Sequence, residues 1–591
     1  MAFDGLVLAA VRAELSKIII QGKIDRVYQP EKEEIMLHIR QPGQNYKLIL
    51  SAQAQDARVH LTTETKANPL TPPMFCMVLR KHLEGGRIIR IEQPNFERIL
   101  HLYIESPNEL GQLSEKILIC EIMGKHSNII LVQAEDQTIL DGIKRYTHAV
   151  SRYREVLPGR TYLAPPNQGK LNPLIIQEEE LRDIIWSSAW DKTLPDILFQ
   201  TLIGVSQLLA RELVFRAGLP FDLQLHHCGE YELHCLWRAV RWLQETIATE
   251  NYCPTIVVKS GKTAFSAVEL THLGSGDFTC YPTINHLLET YYAEKQCQRQ
   301  WQERYQRLIK LVDNELSRCY KKRALQEESL VEVQDAENWR IAGELLTTYL
   351  WQLKLGDTEV ELPNFYDPTE KPVRIVLDPQ LTPAENAQQY FRKYAKKRDS
   401  LSIIQKQLAK TQEEIDYLES VQTAIEQAQS LAELIEIEQE LQEEGYLKIK
   451  IAPGKNHPTK TKEMPMEPRV FVSSDGLEIL VGRNNKQNDW LTLRLAQKED
   501  WWFHTKNIPG SHVIVRVPAG KEIPSRTLEE AAVLAAYFSR AKNSSAVPVD
   551  YTQRKNIRKL KGTPPGRVLY DHQRTIYVTP TEELVSRLRK Q

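Results

Sequence analysis

Leu401, Leu408 and Ile415 recur at seven-residue spacing, and Ile404, Leu418 and Ile425 fall on the same seam. A seven-residue apolar repeat on an otherwise polar helix buries only a narrow stripe, and the stripe needs a partner helix. Tyr305, Leu308, Val312 and Cys319 supply a matching pattern about a hundred residues earlier. Between the two stretches, 359–365 and 373–377 read as a hairpin, and Thr382-Pro383-Ala384-Glu385 is a capping box with Pro in the first helical turn. Residues 285–445 are therefore expected to form two long polar arms around a compact inserted tip, an antiparallel coiled coil that projects outward. A rod of this kind reaches for partners and rarely holds an active site.

The flanks follow other periods. Over 1–175 a helix precedes short alternating runs at 23–29, 34–40, 47–52 and 58–62, a pattern of half-buried strands. A helix over 73–83, stopped by Gly85-Gly86, interrupts them, and strands resume at 87–92, 98–104, 116–122 and 128–133 before Pro165-Pro166 marks a linker. Residues 176–284 read as a helical domain with a short β extension. Inside it Leu202-Ile203-Gly204-Val205-Ser206 separates two helices, and Gly218 caps the second. A tight Gly turn between short helices resembles a helix-hairpin-helix motif, whose backbone N–H groups suit phosphate. Ser206 stands where a second glycine is usual and serves equally well as a plain N-cap. From 446 to 591 the pattern returns to β, with a turn at Ser474-Asp475-Gly476, a helix over 528–542 and a basic final stretch. The whole reads as an α+β multidomain chain, and 591 residues exceed what one core supports.

Net charge of −1 conceals an asymmetry. Residues 446–591 hold 26 Lys+Arg against 14 Asp+Glu, a net +12, which leaves −13 on the first 445. Clustered cations on one module point to a polyanion partner. Eight scattered cysteines contain no Cys-x-x-Cys pair, so no disulfide framework or zinc ribbon is indicated and a reducing cytoplasm fits. No apolar run is long enough to span a membrane, and an acid in Met-Ala-Phe-Asp is out of place in a signal peptide.

Candidate RNA contacts follow from residue chemistry. Trp501, Trp502, Phe503, His504, Lys506 and His512 interleave rings with basic groups in the most basic domain, a mixture suited to unstacked bases. Trp501 and Phe503 fit either a strand core or an RNA face. Lys555, Arg558, Lys559 and Lys561 are hard to bury and are expected on phosphate. Arg80, Lys81 and His82 end a helix, where the dipole favours cations in any case. Arg152, Arg154 and Arg160, on a loop before the linker, are candidate phosphate contacts. His226, His227, Cys228, His234 and Cys235 can be drawn as a zinc set, but the order is unusual and amphipathic packing explains them better.

Several segments together resemble one family. They are Phe3-Asp4-Gly5, Pro73-Met74-Phe75-Cys76-Met77-Val78-Leu79-Arg80-Lys81-His82, Glu121-Ile122-Met123-Gly124-Lys125-His126-Ser127-Asn128 and Asn386-Ala387-Gln388-Gln389-Tyr390-Phe391. In the basic domain they are Gly482-Arg483-Asn484 with Gln487-Asn488, Asp500-Trp501-Trp502-Phe503-His504-Thr505-Lys506 with Pro509-Gly510-Ser511-His512, and Lys555-Asn556-Ile557-Arg558-Lys559 with Pro565-Gly566. In order and spacing these are similar to the NFACT family over essentially the whole chain. The resemblance implies an NFACT-N domain over 1–175, a helix-hairpin-helix domain over 176–284, the coiled-coil arms with tip, and an NFACT-R RNA-binding domain over 446–591.

The resemblance further implies a ribosome-associated quality control factor that binds large ribosomal subunits stalled with peptidyl-tRNA and recruits alanyl-tRNA. Such a factor promotes template-free addition of a C-terminal alanine tail, while peptide-bond formation belongs to the ribosome; the arms reach the stalk base. The family's strand after the first helix carries an Asp-Arg pair, here Glu97-Arg98, one methylene longer in its acid. Asp4, Glu97 and Arg98 match positions the family uses, and with Arg80, Lys81, Arg152 and Arg154, read from their chemistry, they are expected to hold tRNA; Arg483, Asn484, Trp502, His504, Lys506, His512, Lys555, Arg558 and Lys559 are expected to hold RNA. No catalytic residue, metal, cofactor or DNA partner is implied. Two alternative functions attach to the same fold and family. The N-terminal fold is similar to that of formamidopyrimidine-DNA glycosylases, but those use an N-terminal Pro nucleophile and a cysteine zinc finger, and residue 2 here is Ala. An older family name implies a fibronectin-binding adhesin, which needs export.

Overall fold

The computed structural model describes residues 3–107, 111–149, 151–166, 169–334, 336–367, 371–448, 467–518 and 520–589. Ala2, and residues 449–466 of the expected C-terminal domain, lie outside the described residues. The chain divides into two compact units, Met1–Gln296 and Cys297–Gln591.

The first unit opens with α1 (Gly5–Ile18), whose residues from Gly5 to Val11 are all apolar and buried. Helices of that kind belong inside a core. Strands β1 (Lys23–Glu31), β2 (Glu34–Gln41), β3 (Gln44–Ser51) and β4 (Arg58–Thr62), helix α2 (Met74–Leu83), then β5 (Arg87–Glu92), β6 (Ile99–Pro107), β7 (Leu113–Glu121), β8 (Asn128–Gln133) and β9 (Ile139–Gly142) follow. The strands form one nine-stranded sheet in the order β4-β3-β2-β1-β5-β6-β7-β8-β9, antiparallel throughout. Short connections between successive strands account for this meander-like order. β9 has four residues and was not anticipated; so short a run gives little alternation to read.

Helices α3 (Glu178–Trp186), α4 (Leu194–Thr201), α5 (Gln207–Arg216) and α6 (Glu230–Ala248) come next, then β10 (Thr255–Lys259), β11 (Lys262–Ser266) and β12 (Asp277–Cys280) in a three-stranded sheet. α7 (Ile284–Gln334) begins in this unit, where Ile284, Leu287, Leu288 and Tyr292 join its core. Glu14 accepts from the backbone N–H of Ile284 at 2.6 Å and from the Asn285 side-chain amide at 2.6 Å, fixing that helix start.

In the second unit the rest of α7 pairs with α9 (Pro383–Glu426). Asp313 meets Gln422, Tyr320 meets Glu419 and Arg323 meets Gln412, so the arms run antiparallel. Leu308, Val312, Leu316 and Cys319 pack with Ile415, Leu418, Val421 and Ile425. Leu401, Ile404 and Leu408 lie further out and are only half-buried, because two helices alone leave their seam partly open. α8 (Ala336–Thr348) and the hairpin of β13 (Glu359–Pro363) with β14 (Pro372–Val376) form the tip around Leu345, Leu346, Leu362, Ile375 and Leu377. Thr382 and Glu385 close the expected capping box on α9.

After α10 (Leu431–Glu443) come β15 (Arg469–Val472), β16 (Glu478–Val481), α11 (Asn485–Trp490), β17 (Trp501–Thr505), β18 (Val513–Val515), α12 (Ser525–Tyr537), β19 (Val547–Gln553), β20 (Ile557–Arg558), β21 (Leu569–Tyr570), β22 (Arg574–Val578) and α13 (Glu582–Leu588). Six strands form a sheet in the order β15-β16-β18-β17-β19-β22. α12 packs on one face through Ala531, Leu534 and Ala535. The residues 491–495, wound as a single π turn after α11, contribute to a second core with Leu480, Trp502 and Ile514. β17 is thus covered on both sides.

Candidate nucleic-acid interface

The side chains singled out at Asp4, Glu97 and Arg98 converge. Asp4 caps α1, accepting from the Val7 N–H at 3.0 Å. Ser206 caps α5, accepting from the Leu209 N–H at 3.1 Å, and its hydroxyl donates to Asp4 at 2.7 Å. Beside this pair the backbones almost touch: the Gly5 N–H donates to Gly204 O at 2.8 Å. A Cβ on Gly5 would lie 2.6 Å from Phe96 O, and one on Gly204 only 2.2 Å from it. Gly204 also has φ of +70°, so both close approach and handedness demand glycine. Asn95 and Phe96 turn through left-handed φ values of 48° and 61°, and Gln93 donates to Gly5 O at 2.9 Å and Glu97 O at 2.8 Å. Three distant segments are locked together, and Glu97-Arg98 leaves the lock at the mouth of a cleft of about 710 Å³.

That cleft is lined by Asp4, Glu97, Arg98, Tyr153, Lys170 and Ser206, among others. Its charges are partly stripped of water. Burial raises the Asp4 carboxyl, against the Ser206 hydrogen bond and the nearby Arg98 charge. Burial likewise raises Glu97, opposed by Arg98 and Lys170. It lowers Arg98, opposed by the two acids, and lowers Lys170, which Arg98 also repels. With Arg154 also in the lining, two acids and three cations in a partly dry cleft act on an incoming polar ligand more strongly than they would in bulk water. The cations suit phosphate, and the acids suit the donor edge of a base. Lys170 was missed in the sequence, since it follows the linker as an isolated lysine. It donates to Phe199 O at 2.7 Å and lies 4.9 Å from the centre of the Phe199 ring.

The remaining cations of the first unit divide. Arg152 and Lys81 are exposed. Arg154 lines the same cleft as Asp4, Glu97 and Arg98 but is buried, gripping Glu121 through two 2.6 Å hydrogen bonds, with Tyr162 donating to the same carboxylate at 3.0 Å. Breaking a buried bidentate pair to reach phosphate would strand Glu121. Arg80 donates to Val27 O at 2.9 Å and stands over the Tyr28 ring, so it serves the fold. His234 faces Glu178 at 2.9 Å while Cys235 turns into the core. Among the described residues no three His, Cys, Asp or Glu side chains converge on a point that could hold a metal.

The C-terminal domain needs more corrections. Trp502 is 0% exposed, packed against His504, His512 and Tyr570. His512 is buried and shares a 2.7 Å hydrogen bond with Thr492. Burial holds His504 down at about 4 and His512 well below its ordinary value, so neither brings positive charge at neutral pH. Both faces of a central strand are core here, which alternation alone cannot reveal. Arg483 and Asn484 are also engaged by the fold. Glu433 of α10 binds Arg483 and Arg469, Glu436 accepts from Asn484 at 2.7 Å, and Asn484 caps α11. Glu440 completes this acidic face, taking 3.1 Å hydrogen bonds from Tyr417 and Asn485. Lys559 pairs with Asp489. Lys506, Lys555 and Lys561 are exposed, and Arg558 is exposed with Asp571 3.5 Å away. These four carry the phosphate expectation.

Comparison with known proteins gives a consistent outcome. Residues 4–460 match the NFACT N-terminal and middle domains, and residues 467–572 match the NFACT protein RNA binding domain. The chain is 40% identical to the Rqc2 homolog RqcH of Bacillus subtilis and 37% identical to that of Streptococcus suis, in each case over all of both chains. The N-terminal part of the fibronectin/fibrinogen-binding protein of Streptococcus suis, a solved structure, is 31% identical over 49% of this chain and 99% of its own, with a TM-score of 0.42. Among the described residues no helix is long and apolar enough to cross a membrane.

Proposed function

Since this chain belongs to the NFACT family, we propose that it is a ribosome-associated quality control factor. In this reading it binds large ribosomal subunits stalled with peptidyl-tRNA in the cytoplasm, recruits alanyl-tRNA and promotes template-free alanine tailing of the nascent chain. It is non-catalytic: the ribosome makes the peptide bond and the factor positions substrates. The observation that carries the reading is the 40% identity over the full length of a curated Rqc2 homolog.

The molecule's parts support a division of labour. The Asp4–Glu97–Arg98 cleft, with Lys170, handles tRNA by offering donors and acceptors in a partly desolvated setting. The exposed Lys506, Lys555, Arg558 and Lys561 hold RNA backbone through salt-dependent contacts. The arms and tip dock on the large subunit at the stalk base. Purifying the protein from cells and sequencing the bound RNA tests the whole. Alanine tRNA together with large-subunit rRNA is the expected result, and an unselected RNA mixture overturns it. Deleting 332–396 should abolish co-sedimentation with large subunits and leave tRNA binding in place; loss of both from a folded protein overturns the division of labour.

A further inference from the structure

Two exposed cysteines of the first unit share one face of the small sheet. Cys253 lies two residues before β10, and Cys280 ends β12. Thr255 and Cys280 are direct partners in the antiparallel ladder. Side chains alternate along a strand, so Cys253, Thr255 and Cys280 point to the same side. Each thiol sulfur sits 3.9 Å from the Thr255 hydroxyl, so one side chain bridges the two. The backbones beneath are tied, with the Tyr281 N–H donating to Pro254 O at 2.9 Å and the Cys253 N–H to Ala267 O at 2.8 Å. Of the other six cysteines, Cys76, Cys120, Cys235 and Cys319 are buried, Cys228 is partly buried and Cys297 is exposed on α7.

We propose that Cys253 and Cys280 form a reversible dithiol–disulfide pair, a redox modification site that staples the end of β12 to the start of β10. The oxidant is a low-molecular-weight disulfide. The Cys280 thiolate attacks one sulfur of it, forming a mixed disulfide and releasing one thiolate, which takes the proton Cys280 gave up. The Cys253 thiolate then attacks the Cys280 sulfur and expels the second thiolate, which takes the Cys253 proton. Two protein thiols are oxidised by two electrons, and one small disulfide becomes two thiols. The same two steps run equally well from Cys253, with the same products. Cys253 lies diagonally across the ladder from Cys280, and both sulfurs flank the one Thr255 hydroxyl on the same face of two directly paired strands, the neighbourhood a disulfide spans.

The staple's position gives it a consequence. Cys280 stands just before Tyr281-Pro282-Thr283 and the first turn of α7, a helix start held by Glu14 to Ile284 in that turn and by Glu289 to Thr62 at 3.0 Å in the next. Oxidation adds a covalent tie at the root of that helix.

The full-length protein, equilibrated in glutathione buffers of graded reduced-to-oxidised ratio, acid-quenched, alkylated and digested for mass spectrometry, tests this. The expected product is a crosslink between the Cys253 and Cys280 peptides, with the mass of two hydrogens lost, reversed by excess reduced glutathione. Cys253→Ser and Cys280→Ser should each abolish it and leave the remaining cysteine carrying one glutathione. Alkylation of both cysteines at every ratio, or a separate glutathione on each in the unsubstituted protein, overturns the proposal.

Discussion

Asp4 and Ser206, 202 positions apart, share a 2.7 Å hydrogen bond that joins the caps of two helices. Each side chain already satisfies the first turn of its own helix, Asp4 for α1 and Ser206 for α5. The bond therefore registers the N-terminal segment against the turn after α4, beside the cleft that Glu97, Arg98 and Lys170 line. Serine in place of the usual glycine has its explanation here, since only a side chain can hold Asp4.

Ser206→Ala should lower the local stability of α5 by about 2 kcal/mol, because it removes a cap and leaves a buried carboxylate oxygen without its donor. Hydrogen exchange of the α5 amides in the full chain measures this. Unchanged protection would show that the hydroxyl contributes nothing to the lock.

Arg98→Ala should leave large-subunit binding intact while removing alanine tailing, since Arg98 is one of the cations that line the cleft. Glu97→Asp should be tolerated. Glu97→Gln should impair tailing, because the partly buried guanidinium keeps only Asp4 of the two acids whose charge offsets its burial. Wild-type tailing by Arg98→Ala would reduce the Glu-Arg pair to a surface feature.

Trp502→Ala and Lys555→Ala should separate packing from binding. Removing Trp502 empties a core and should cost on the order of 3–5 kcal/mol of domain stability, read as a lower melting temperature with loss of RNA binding as a consequence. Removing Lys555 should leave melting unchanged and reduce the slope of log affinity against log salt by about 1. Equal slopes for wild type and Lys555→Ala would move the RNA contact off this stretch.

The sequence was most legible where periodicity is local. The alternating runs of the first sheet, the heptads of the arms and the Thr382 capping box each state their structure within a few turns of chain. It was least legible where a residue's meaning depends on what packs against it. Trp502 and His512 look like RNA contacts until the π turn over 491–495 covers their face. Arg483 and Asn484 look available until Glu433 and Glu436 arrive from α10. The cleft was half visible: Asp4, Glu97 and Arg98 came from resemblance, whereas Lys170 joins them only through the tertiary fold. The pairing of Cys253 with Cys280 likewise depends on β12 lying beside β10, a neighbour 27 residues away that no short pattern announces.

Glu440 makes the pH dependence of the α10 contact predictable. Burial raises its carboxyl from 4.5 to about 7, against hydrogen bonds from Asn485, Tyr417 and the Lys486 N–H and against the Lys486 charge. Between pH 4.5 and 7 the folded protein holds a proton that the unfolded chain has released. Stability contributed by this group is accordingly full below pH 4.5, falls as pH rises through the window and is gone above about 7. Glu440→Gln removes the titration but presents an amide N–H to the Lys486 N–H, so a constant penalty is expected with it. The difference in opening free energy of the α10 amides, variant minus wild type, should therefore rise across the window by an amount on the order of 3 kcal/mol. Other titrating groups cancel in that difference. Parallel curves for the two proteins would mean that Glu440 ionises normally in the folded state, and that the acidic face of α10 holds the C-terminal domain without any sensitivity to pH in this range.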